Sequence, residues 1–386
     1  MVANAPRTDE PLEVSVILPS LNEEKTIGTC ISKIQEVFRD TGIRGEIIIS
    51  DSSTDSTPEL ARASGARVIH PDHAGYGNAY LAAFREARGE ILVMGDADDT
   101  YDFSDIPRLL APLRAGADLV LGSRFKGVIT PGSMAPLHRY IGNPLLTWLL
   151  NILYHTGFSD GQTGFRAITR EALSRLKLST GGMEFASEML IRASEQKLSI
   201  VEIPITYSPR QSPSKIHSFA DGWRHLRFVL LMRPIPFLAT PGLLFAAIGL
   251  VLMAIFYLTG NIETSRFNSF ILGTLLLLGG IQAFFTGVEI SVYSIVHGFL
   301  EKQGLVARIM NYHRLEEMLL AGGTLLFIGF VLGLGIIARW VARGFGALGE
   351  VSNAVISMIL VVVGMEVIFF AIFVSMMLLN ERNGAM

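Results

Sequence analysis

Four long apolar segments near the C-terminus constrain the fold more than any other feature of this sequence. An α-helix needs about 20 mainly apolar residues to cross a bilayer, and each segment approaches or exceeds that length. We therefore predict a four-helix transmembrane region over residues 235–380 and a short tail over 381–386. The segments are Ile235–Leu258, Asn268–Val288 with an open extension past Glu289 to Val296, Met318–Ala338 and Ala354–Leu379.

The composition agrees with a membrane protein and excludes several other classes. Charged residues make up 17% of the 386 residues, against about 25% in soluble domains, and the mean hydropathy is +0.42. The net charge of -3 gives no general attraction to nucleic acid, so we expect no nucleic-acid partner. The single cysteine, Cys30, excludes a disulfide framework within the chain and a cysteine-based zinc site.

Basic residues near the apolar segments predict the orientation, because Lys and Arg are enriched on the cytoplasmic side. Three basic residues lie on the loops assigned to the outer side: Arg266, Arg339 and Arg343. Seven lie on the other side: Arg224, Arg227, Arg233, Lys302, Arg308, Arg314 and Arg382. Residues 1–13 are polar and lack signal-peptide features. We expect an integral membrane protein, in a prokaryotic plasma membrane, with both termini and the N-terminal domain in the cytoplasm.

The apolar region contains two further patterns. Leu244-Phe245 with Gly249 resembles Leu326-Phe327 with Gly329, and Gly280-Ile281-Gln282 resembles Gly364-Met365-Glu366, at separations of 80 to 84 residues. A duplicated helical hairpin and chance similarity of apolar helices are both consistent with this. Acids within membrane spans are often functional, but Glu289 and Glu366 also suit helix–helix hydrogen bonding, so their role stays open. Self-association through the spans is also open.

Residues 13–217 show short apolar strands that alternate with helical segments, the pattern of βαβ units in a mostly parallel sheet. Ligands of such sheets bind beyond the carboxyl ends of the strands. Predicted strands are 13–18, 45–50, 66–70, 90–95 and 117–122, and predicted helices are 24–40, 57–64, 77–88 and 106–115.

Two polar clusters follow predicted strands. Asp51 begins a run of Asp, Ser and Thr residues that ends at Thr57, and its carboxylate is placed to accept hydrogen bonds from a base or a ribose. The alternative is a turn that starts a helix. Asp96, Asp98 and Asp99 follow the fourth strand. Two carboxylates at this spacing can hold Mg²⁺ or Mn²⁺, since hard cations bind oxygen ligands; a solvated acidic turn is the alternative.

Six motifs follow one another in one order along about residues 13–220. They are Val16–Glu24, Asp51–Thr57, Asp96-Ala97-Asp98, Gly122-Ser123-Arg124-Phe125, Asp160–Arg166 and Arg210–Lys215. Together they resemble family 2 glycosyltransferases with the GT-A fold, and in detail the polyprenyl-phosphate sugar synthases, typified by dolichyl-phosphate mannose synthase. The C-terminal spans resemble the membrane-anchored subtype. Ser50 and Pro213 depart from the family, which often has an acid and a glycine there.

The resemblance implies inverting transfer of a hexose from a nucleotide sugar, GDP-mannose or UDP-glucose, to polyprenyl or dolichyl phosphate. It implies Mg²⁺ or Mn²⁺ at Asp96 and Asp98, with Asp98, Arg124 and Arg139 in catalysis. Residues implied to bind the donor nucleotide are Pro19, Asn22, Glu23, Asp51, Asp96 and Arg210. Those implied for the acceptor phosphate are Arg124, Arg139, Asn143 and Lys215, and those for the sugar are Asp160, Gln162 and Glu184.

Two segments combine aromatic, aliphatic and basic residues, as interfacial helices do. They are Pro136–His155, too short to span, and Phe219–Arg233. We predict a GT-A domain over 1–217 that includes the first segment, and a juxtamembrane amphipathic helix over 218–234. Membrane lipids are therefore expected partners. Two other functions remain as alternatives: a processive polysaccharide synthase, and a flippase or scaffold with an inactive transferase domain.

Overall fold

The computed structural model describes residues 12–211, 218–258, 267–302, 304–346 and 350–383. The chain divides into two compact units, Met1–Phe228 and Val229–Met386. The predicted boundary at residue 217 precedes helix α8 (Ser218–Met232), whereas the division between the units falls inside it.

A seven-stranded sheet forms the centre of the first unit, in the order β3-β2-β1-β4-β6-β5-β7. β1 pairs in parallel with β2 and β4, β2 with β3, and β5 with β7. Only β6 is antiparallel to both of its neighbours, β4 and β5. The strands are β1 Val14–Ser20, β2 Gly45–Asp51, β3 Arg67–Ile69, β4 Ile91–Met94, β5 Leu119–Ile129, β6 Arg166–Thr169 and β7 Ile200–Tyr207. The prediction of a mostly parallel α/β sheet is confirmed.

Helices cover the sheet and close its core. Apolar residues of β1, such as Val16 and Leu18, pack with Ile27 and Ile31 of α1, and all four are fully buried. α1 ends at Gly42, whose φ of 69° lies in the left-handed region that glycine adopts readily because it has no side chain. The helices are α1 Ile27–Thr41, α2 Thr57–Ala63, α3 Tyr76–Glu86, α4 Ile106–Arg114, α5 Asn143–Tyr154, α6 Arg170–Arg175 and α7 Phe185–Glu195.

The predicted elements up to residue 122 match observed elements with ends shifted by a few residues, but the later part of the sheet was not predicted. β5 continues to Ile129 rather than ending at Gly122. β6 has only four residues and begins with a charged residue, Arg166. β7 is mostly half-buried and contains Pro204. The second half of β5 and the short β6 show no strong apolar or alternating pattern, and they gain their partners through long-range pairing. β7 does alternate, with Val201, Ile203, Ile205 and Tyr207 packed toward the core, but this strand was not predicted.

The segment predicted to be interfacial forms a wide turn, His138–Gly142, that continues into α5. Thr147, Leu150 and Leu153 of α5 are buried in the first unit. One stripe of large apolar residues is exposed, at spacings of three or four residues. It consists of Leu137, Ile141, Leu145, Trp148 and Ile152, which are 50% to 58% exposed.

Among its described residues, the second unit contains four helices long and apolar enough to cross a membrane: Ile235–Leu258, Phe267–Val296, His313–Ala342 and Val351–Leu379. The four predicted spans are therefore confirmed as helices: the first has the predicted bounds, and the other three are longer than predicted. A wide turn, Ile235–Ala239, leads into α9. The helices are α9 Thr240–Leu258, α10 Phe267–Val296, the short α11 Gly304–Ile309, α12 Tyr312–Ala342 and α13 Val351–Asn383. Phe285 of α10 contacts Phe370 of α13, with ring centroids 4.8 Å apart.

Glycines bring α9 against α10 and α12 against α13 at backbone distance. A Cβ added to Gly249 would lie 2.4 Å from Leu277 N and 2.5 Å from Gly273 O. A Cβ added to the matching Gly329 would lie 2.8 Å from Val361 N and 2.9 Å from Ser357 O. Small residues permit such close packing of membrane helices.

The same correspondence holds at the other contacts of the two hairpins. A Cβ added to Gly280 would clash with Gly242 O and Ala246 N. A Cβ added to Gly364 would clash with Gly322 O and Leu326 N. The hairpins α9–α10 and α12–α13 are therefore equivalent in packing, which supports an internal duplication. The register differs from the sequence comparison in one place: Ala246, not Leu244, corresponds to Leu326.

Of the two acids within the spans, Glu366 has a buried carboxylate oxygen, Oε1, with no hydrogen-bond partner in the described part of the chain. The helix–helix hydrogen bond suggested for this residue is not seen at that atom. Glu289 is half-buried on α10.

Replacing Gly249 with alanine tests the packing of the first hairpin. The new methyl group would overlap the α10 backbone, so we expect a loss of about 1–3 kcal/mol of stability and a lower unfolding temperature in detergent. Gly279→Ala is the matched control, because a Cβ at Gly279 has nothing within 4 Å. Equal unfolding temperatures for the two variants would contradict the close packing of α9 on α10.

Candidate active site

The carboxyl ends of β1 and β2 lie side by side, since Ser20 pairs with Asp51 in the parallel register. The Ser20 and Ser53 hydroxyls each donate to Asp51 Oδ1 at 2.6 Å, and Ser53 N donates to Oδ2 at 3.2 Å. Asp51 is 1% exposed. A carboxylate has about four acceptor positions, so one remains for a ligand.

The loops after these two strands interlock. Asn22, in the left-handed region with φ 53°, donates from its backbone N to Ser53 Oγ at 2.7 Å and accepts from Thr54 N at 2.8 Å. Glu23 N donates to Thr57 Oγ1 at 2.9 Å. Asn22, Glu23 and Asp51, which were predicted to bind the donor nucleotide, therefore lie together at the ends of β1 and β2, and Pro19 precedes them within β1.

Asp98 and Arg210 connect this region to the end of β4. Asp98 Oδ1 accepts from Thr100 Oγ1 at 2.6 Å and from Thr100 N at 3.1 Å. Arg210 Nε lies 3.0 Å from Asp98 Oδ2, an ion pair without hydrogen-bond geometry. Arg210 Nη2 donates to Glu23 Oε1 at 3.1 Å. Arg210 thus bridges two carboxylates that come from different strand ends.

The carboxylate of Asp96 lies near Asp98 and Arg210, in surroundings that disfavour its charged form. Burial, and next the neighbouring Asp98 carboxylate, raise the pKa of Asp96 to about 7, although Arg210 and Arg124 act in the opposite direction. The Tyr76 hydroxyl is 3.4 Å from Asp96 Oδ1. A Cβ added to Gly164 would lie 2.9 Å from Asp96 Oδ2, so a side chain at this position would displace the carboxylate.

The carboxylates of Asp96 and Asp98 suit a hard divalent cation. Mg²⁺ is usually bound by one or two carboxylates together with water and substrate phosphates. Across the described residues no group of three or more His, Cys, Asp or Glu side chains could hold a metal on its own. The donor set therefore fits a cation that is shared with a phosphate ligand rather than one enclosed by protein.

Arg124 and Asp160, predicted to bind different substrates, form one buried ion pair. Arg124 Nε and Nη2 donate to Asp160 Oδ2 and Oδ1 at 2.7 and 2.8 Å. The two residues are 6% and 0% exposed, and Arg124 Cζ lies 5.2 Å from the Tyr207 ring centroid. In this arrangement Asp160 fixes the direction of the guanidinium, which limits its own availability to a sugar.

The other predicted sugar-binding residues lie near α7. Gln162 Nε2 donates to Ser187 Oγ at 3.3 Å. Glu184 Oε2 is buried and lacks a hydrogen-bond partner among the described residues, so it is the acid available to a ligand. The nearby Glu188 is fully buried and accepts from Ser179 and Thr180. Its role is to hold the loop before α7.

Two predicted acceptor residues, Arg139 and Asn143, have their described contacts elsewhere. Arg139 stacks over the Tyr140 ring at 5.6 Å, and Asn143 Nδ2 lies 3.5 Å from Met134 Sδ. Both belong to the segment that carries the exposed apolar stripe. Lys215 lies outside the described residues.

Sequence reasoning missed several residues that shape the site. Arg166 is 1% exposed and donates to Thr163 O, Ala186 O and Gly161 O. Glu202 accepts from Ser159 N and Asp160 N at 2.8 and 3.3 Å. Arg166 lies in a recognised motif, but nothing in the sequence shows that it faces inward. The residues around Glu202 in the sequence do not predict its place at the site, because β7 pairs with β5 over a long sequence distance.

Comparison with known proteins agrees with this geometry. The family model "Glycosyl transferase family 2" matches residues 15–177, and "Glycosyltransferase family 2 C-terminal transmembrane region" matches residues 288–378. The "Low-salt glycan biosynthesis hexosyltransferase Agl6" of Haloferax volcanii is 41% identical over 360 residues, 92% of this chain and 87% of the relative. The chain belongs to glycosyltransferase family 2. It is a membrane protein with a GT-A fold and acts as a glycosyltransferase.

Shorter relatives match the N-terminal half of this glycosyltransferase. The "Dolichyl-phosphate hexose transferase" of Haloferax volcanii is 36% identical over 54% of this chain and 89% of the relative. The "Polyprenol monophosphomannose synthase" of Mycolicibacterium smegmatis is 33% identical over 53% of this chain and 82% of the relative. Among solved structures, glucosyl-3-phosphoglycerate synthase from Mycobacterium tuberculosis with Mn²⁺, UDP and product is 28% identical, with a TM-score of 0.47, over 57% of this chain and 79% of that one.

Replacing Asp160 with asparagine tests the ion pair that fixes Arg124. Removing one partner leaves a buried charge without its counterion, so we expect a loss of about 3 kcal/mol in the free energy of unfolding. Glu13→Gln, which breaks the exposed Arg114–Glu13 pair, should cost under about 1 kcal/mol. Urea unfolding of the full-length protein in detergent measures both, and equal losses would show that the Arg124–Asp160 pair does not stabilise the fold.

Proposed function

We propose that this glycosyltransferase transfers a hexose from GDP-mannose or UDP-glucose to a polyprenyl or dolichyl phosphate, with inversion at the anomeric carbon. The observation that carries the proposal is the Asp96–Asp98–Arg210–Glu23 cluster at the carboxyl ends of the strands. The two relatives named for dolichyl-phosphate hexose transfer and polyprenol monophosphomannose synthesis support the class of acceptor.

The donor nucleotide binds beyond the ends of β1 and β2. Asp51, with one acceptor position left, takes a hydrogen bond from the base or the ribose. Pro19, Asn22 and Glu23 form the adjoining wall, because their loop is tied to the loop after β2 through Ser53 and Thr57. This arrangement directs the diphosphate toward the end of β4.

Asp96 and Asp98 would hold Mg²⁺ or Mn²⁺ together with the donor diphosphate. When bound, the cation neutralises the charge that builds on the leaving diphosphate. Arg210 contacts Asp98 and Glu23, so it occupies the position where an anionic donor would arrive. Exchange of these carboxylate contacts for phosphate contacts gives Arg210 its proposed role in donor binding.

The acceptor phosphate is already an anion, so the reaction needs no strong general base. A phosphate oxygen of the lipid attacks the anomeric carbon from the face opposite the diphosphate. The bond from that carbon to the diphosphate oxygen breaks, and its electron pair leaves with the nucleoside diphosphate. Arg124, held by Asp160, and Arg139 with Asn143 and Lys215 offset the repulsion between the two anions. Gln162 and Glu184 bind sugar hydroxyls.

The exposed stripe on α5 supports a reaction at the membrane surface. Leu137, Ile141 and Trp148 suit the boundary between headgroups and acyl chains, and Arg139 is on the same segment. The phosphate of the lipid stays at that surface, because burying its charge in hydrocarbon costs several kcal/mol or more. Following the distribution of basic residues, we assign this surface to the cytoplasmic face of a prokaryotic plasma membrane.

The direct test is a transfer assay with purified protein in detergent. It uses radiolabelled GDP-mannose and UDP-glucose, with polyprenyl phosphate as the acceptor and Mg²⁺ present. We expect one of the two donors to give a lipid-extractable hexose phosphate. Asp98→Asn should lower the rate by at least about a hundredfold, the range seen when a group that stabilises transition-state charge is removed.

Asp99→Asn is the matched control for this assay. Asp99 belongs to the same acidic run but pairs with Lys33 Nζ at 2.7 Å, and asparagine tolerates its φ of 62°. It should keep most of the activity. Equal loss in both variants would contradict the specific role of Asp98, and a wild-type protein that glycosylates another acceptor but not polyprenyl phosphate would contradict the proposed function.

A further inference from the structure

The two equivalent hairpins differ at one end, where two large side chains of the first are replaced by small ones in the second. Met253 and Phe270 of the first hairpin are 6% and 0% exposed and pack in one cluster. In the shared register, set by Gly249 with Gly329 and Gly273 with Ser357, their counterparts are Gly333 and Ala354. The second hairpin therefore lacks the side chains that fill this position in the first.

A cavity of about 530 Å³ occupies this place between α12 and α13. This volume falls within the range of about 300–1,000 Å³ that is usual for sites of small ligands. The lining side chains are apolar except for the Ser357 hydroxyl, which donates to Gly329 O at 2.7 Å, and the indole N–H of Trp340. The lining consists mainly of Gly333, Ile336, Ile337, Trp340, Ala354 and Ser357.

Several polar groups lie at the end of α12 near the cavity. Trp340 Nε1 donates to Gly346 O at 2.8 Å, as an aromatic residue of a membrane interface does. Arg339 Nε and Nη2 bond to the two carboxylate oxygens of Glu350 at 3.1 and 2.6 Å. Arg343 lies one turn further and is exposed. Among the described residues at this end, Arg339 and Arg343 with Glu350 leave one excess positive charge near the apolar cavity.

We propose that this cavity binds one hydrocarbon chain of an anionic membrane phospholipid, whose phosphate contacts Arg343. The hydrocarbon chain of the lipid takes the place of the side chains of Met253 and Phe270, which fill the equivalent position in the first hairpin. The phosphate matches the excess positive charge beside Glu350. A soluble apolar ligand would not use that charge, and a second copy of this chain would have to insert a side chain into the cavity; the experiment separates both from a lipid.

This site differs from the proposed acceptor site by its place in the second unit. The cavity lies where α12 ends and α13 begins, and the chain enters the bundle at the start of α9, at the other end of the spans. No residue assigned to donor or acceptor binding lines it. The lipid therefore serves the stability of the second hairpin rather than the transfer reaction.

The test measures the unfolding temperature of the full-length protein in an uncharged detergent with added phosphatidylglycerol. We expect the wild type to gain about 5 °C at saturating lipid, by preferential binding to the folded state. Native mass spectrometry of the same sample should show one retained phosphatidylglycerol. Ala354→Phe fills the cavity with the side chain of the first hairpin. It should lose both the shift and the retained lipid while remaining folded by circular dichroism.

Three further variants make the result decisive. Leu334→Phe adds bulk at an exposed position that does not line the cavity, so it should behave as the wild type. Ala354→Leu is a milder filling variant in case Ala354→Phe fails to fold. Arg343→Gln should keep the bound lipid but lose the preference for phosphatidylglycerol over phosphatidylcholine.

A filled variant that binds phosphatidylglycerol as well as the wild type would overturn the chain site. An unchanged lipid preference in Arg343→Gln would overturn the assignment of the phosphate. Retention of no lipid, with a dimer in the mass spectrum that Ala354→Phe abolishes, would show that a second copy fills the cavity instead.

Discussion

The meeting of acidic strand ends is the constraint on which this site depends. The parallel pairing of β1 with β2 and β4 brings Asp51, Asp96 and Asp98 to one edge of the sheet. Burial, and next the charge of the neighbouring Asp98, raise the pKa of Asp96, so a second negative charge at this edge is unfavourable. Arg210 offsets part of the repulsion through Asp98 and Glu23, and the remaining negative charge favours a cation. In the proposed reaction that cation binds the anionic donor, so the unfavourable repulsion within the cluster and its proposed function have the same origin.

The opposite side of the site depends on a buried ion pair. Arg124 and Asp160 satisfy each other, and Glu202 fixes Asp160 through two backbone N–H groups. Arg166 ties the same loop to α7 through backbone carbonyls. The guanidinium of Arg124, held by this ion pair, keeps one orientation. A positive charge of fixed orientation is useful where two anions must approach each other. The antiparallel strand β6 makes this possible, because it brings the loop that carries Asp160 between the ends of β4 and β5.

The sequence allowed the prediction of the parts that depend on local pattern and on short motifs. The spans, the strands up to Gly122 and the edge position of Asp51, Asp96 and Asp98 follow from apolar periodicity and from the rule for parallel sheets. The pairing of Arg124 with Asp160 was not predicted, because the partners are joined through long-range sheet contacts. Glu202 and Arg166 were missed for the same reason. The cavity near Ala354 follows only from the exact helix register, which apolar sequences do not reveal.

The central claim is that Asp96 and Asp98 share a divalent cation with the donor diphosphate. The most direct measurement is the binding of Mn²⁺ to the full-length protein in detergent, followed by electron paramagnetic resonance with and without UDP or GDP. The account predicts one Mn²⁺ per chain, bound more tightly with the matching nucleoside diphosphate, and loss of this coupling in Asp98→Asn but not in Asp99→Asn. Nucleoside diphosphate binding that is equally tight in EDTA, or unchanged coupling in Asp98→Asn, would contradict it.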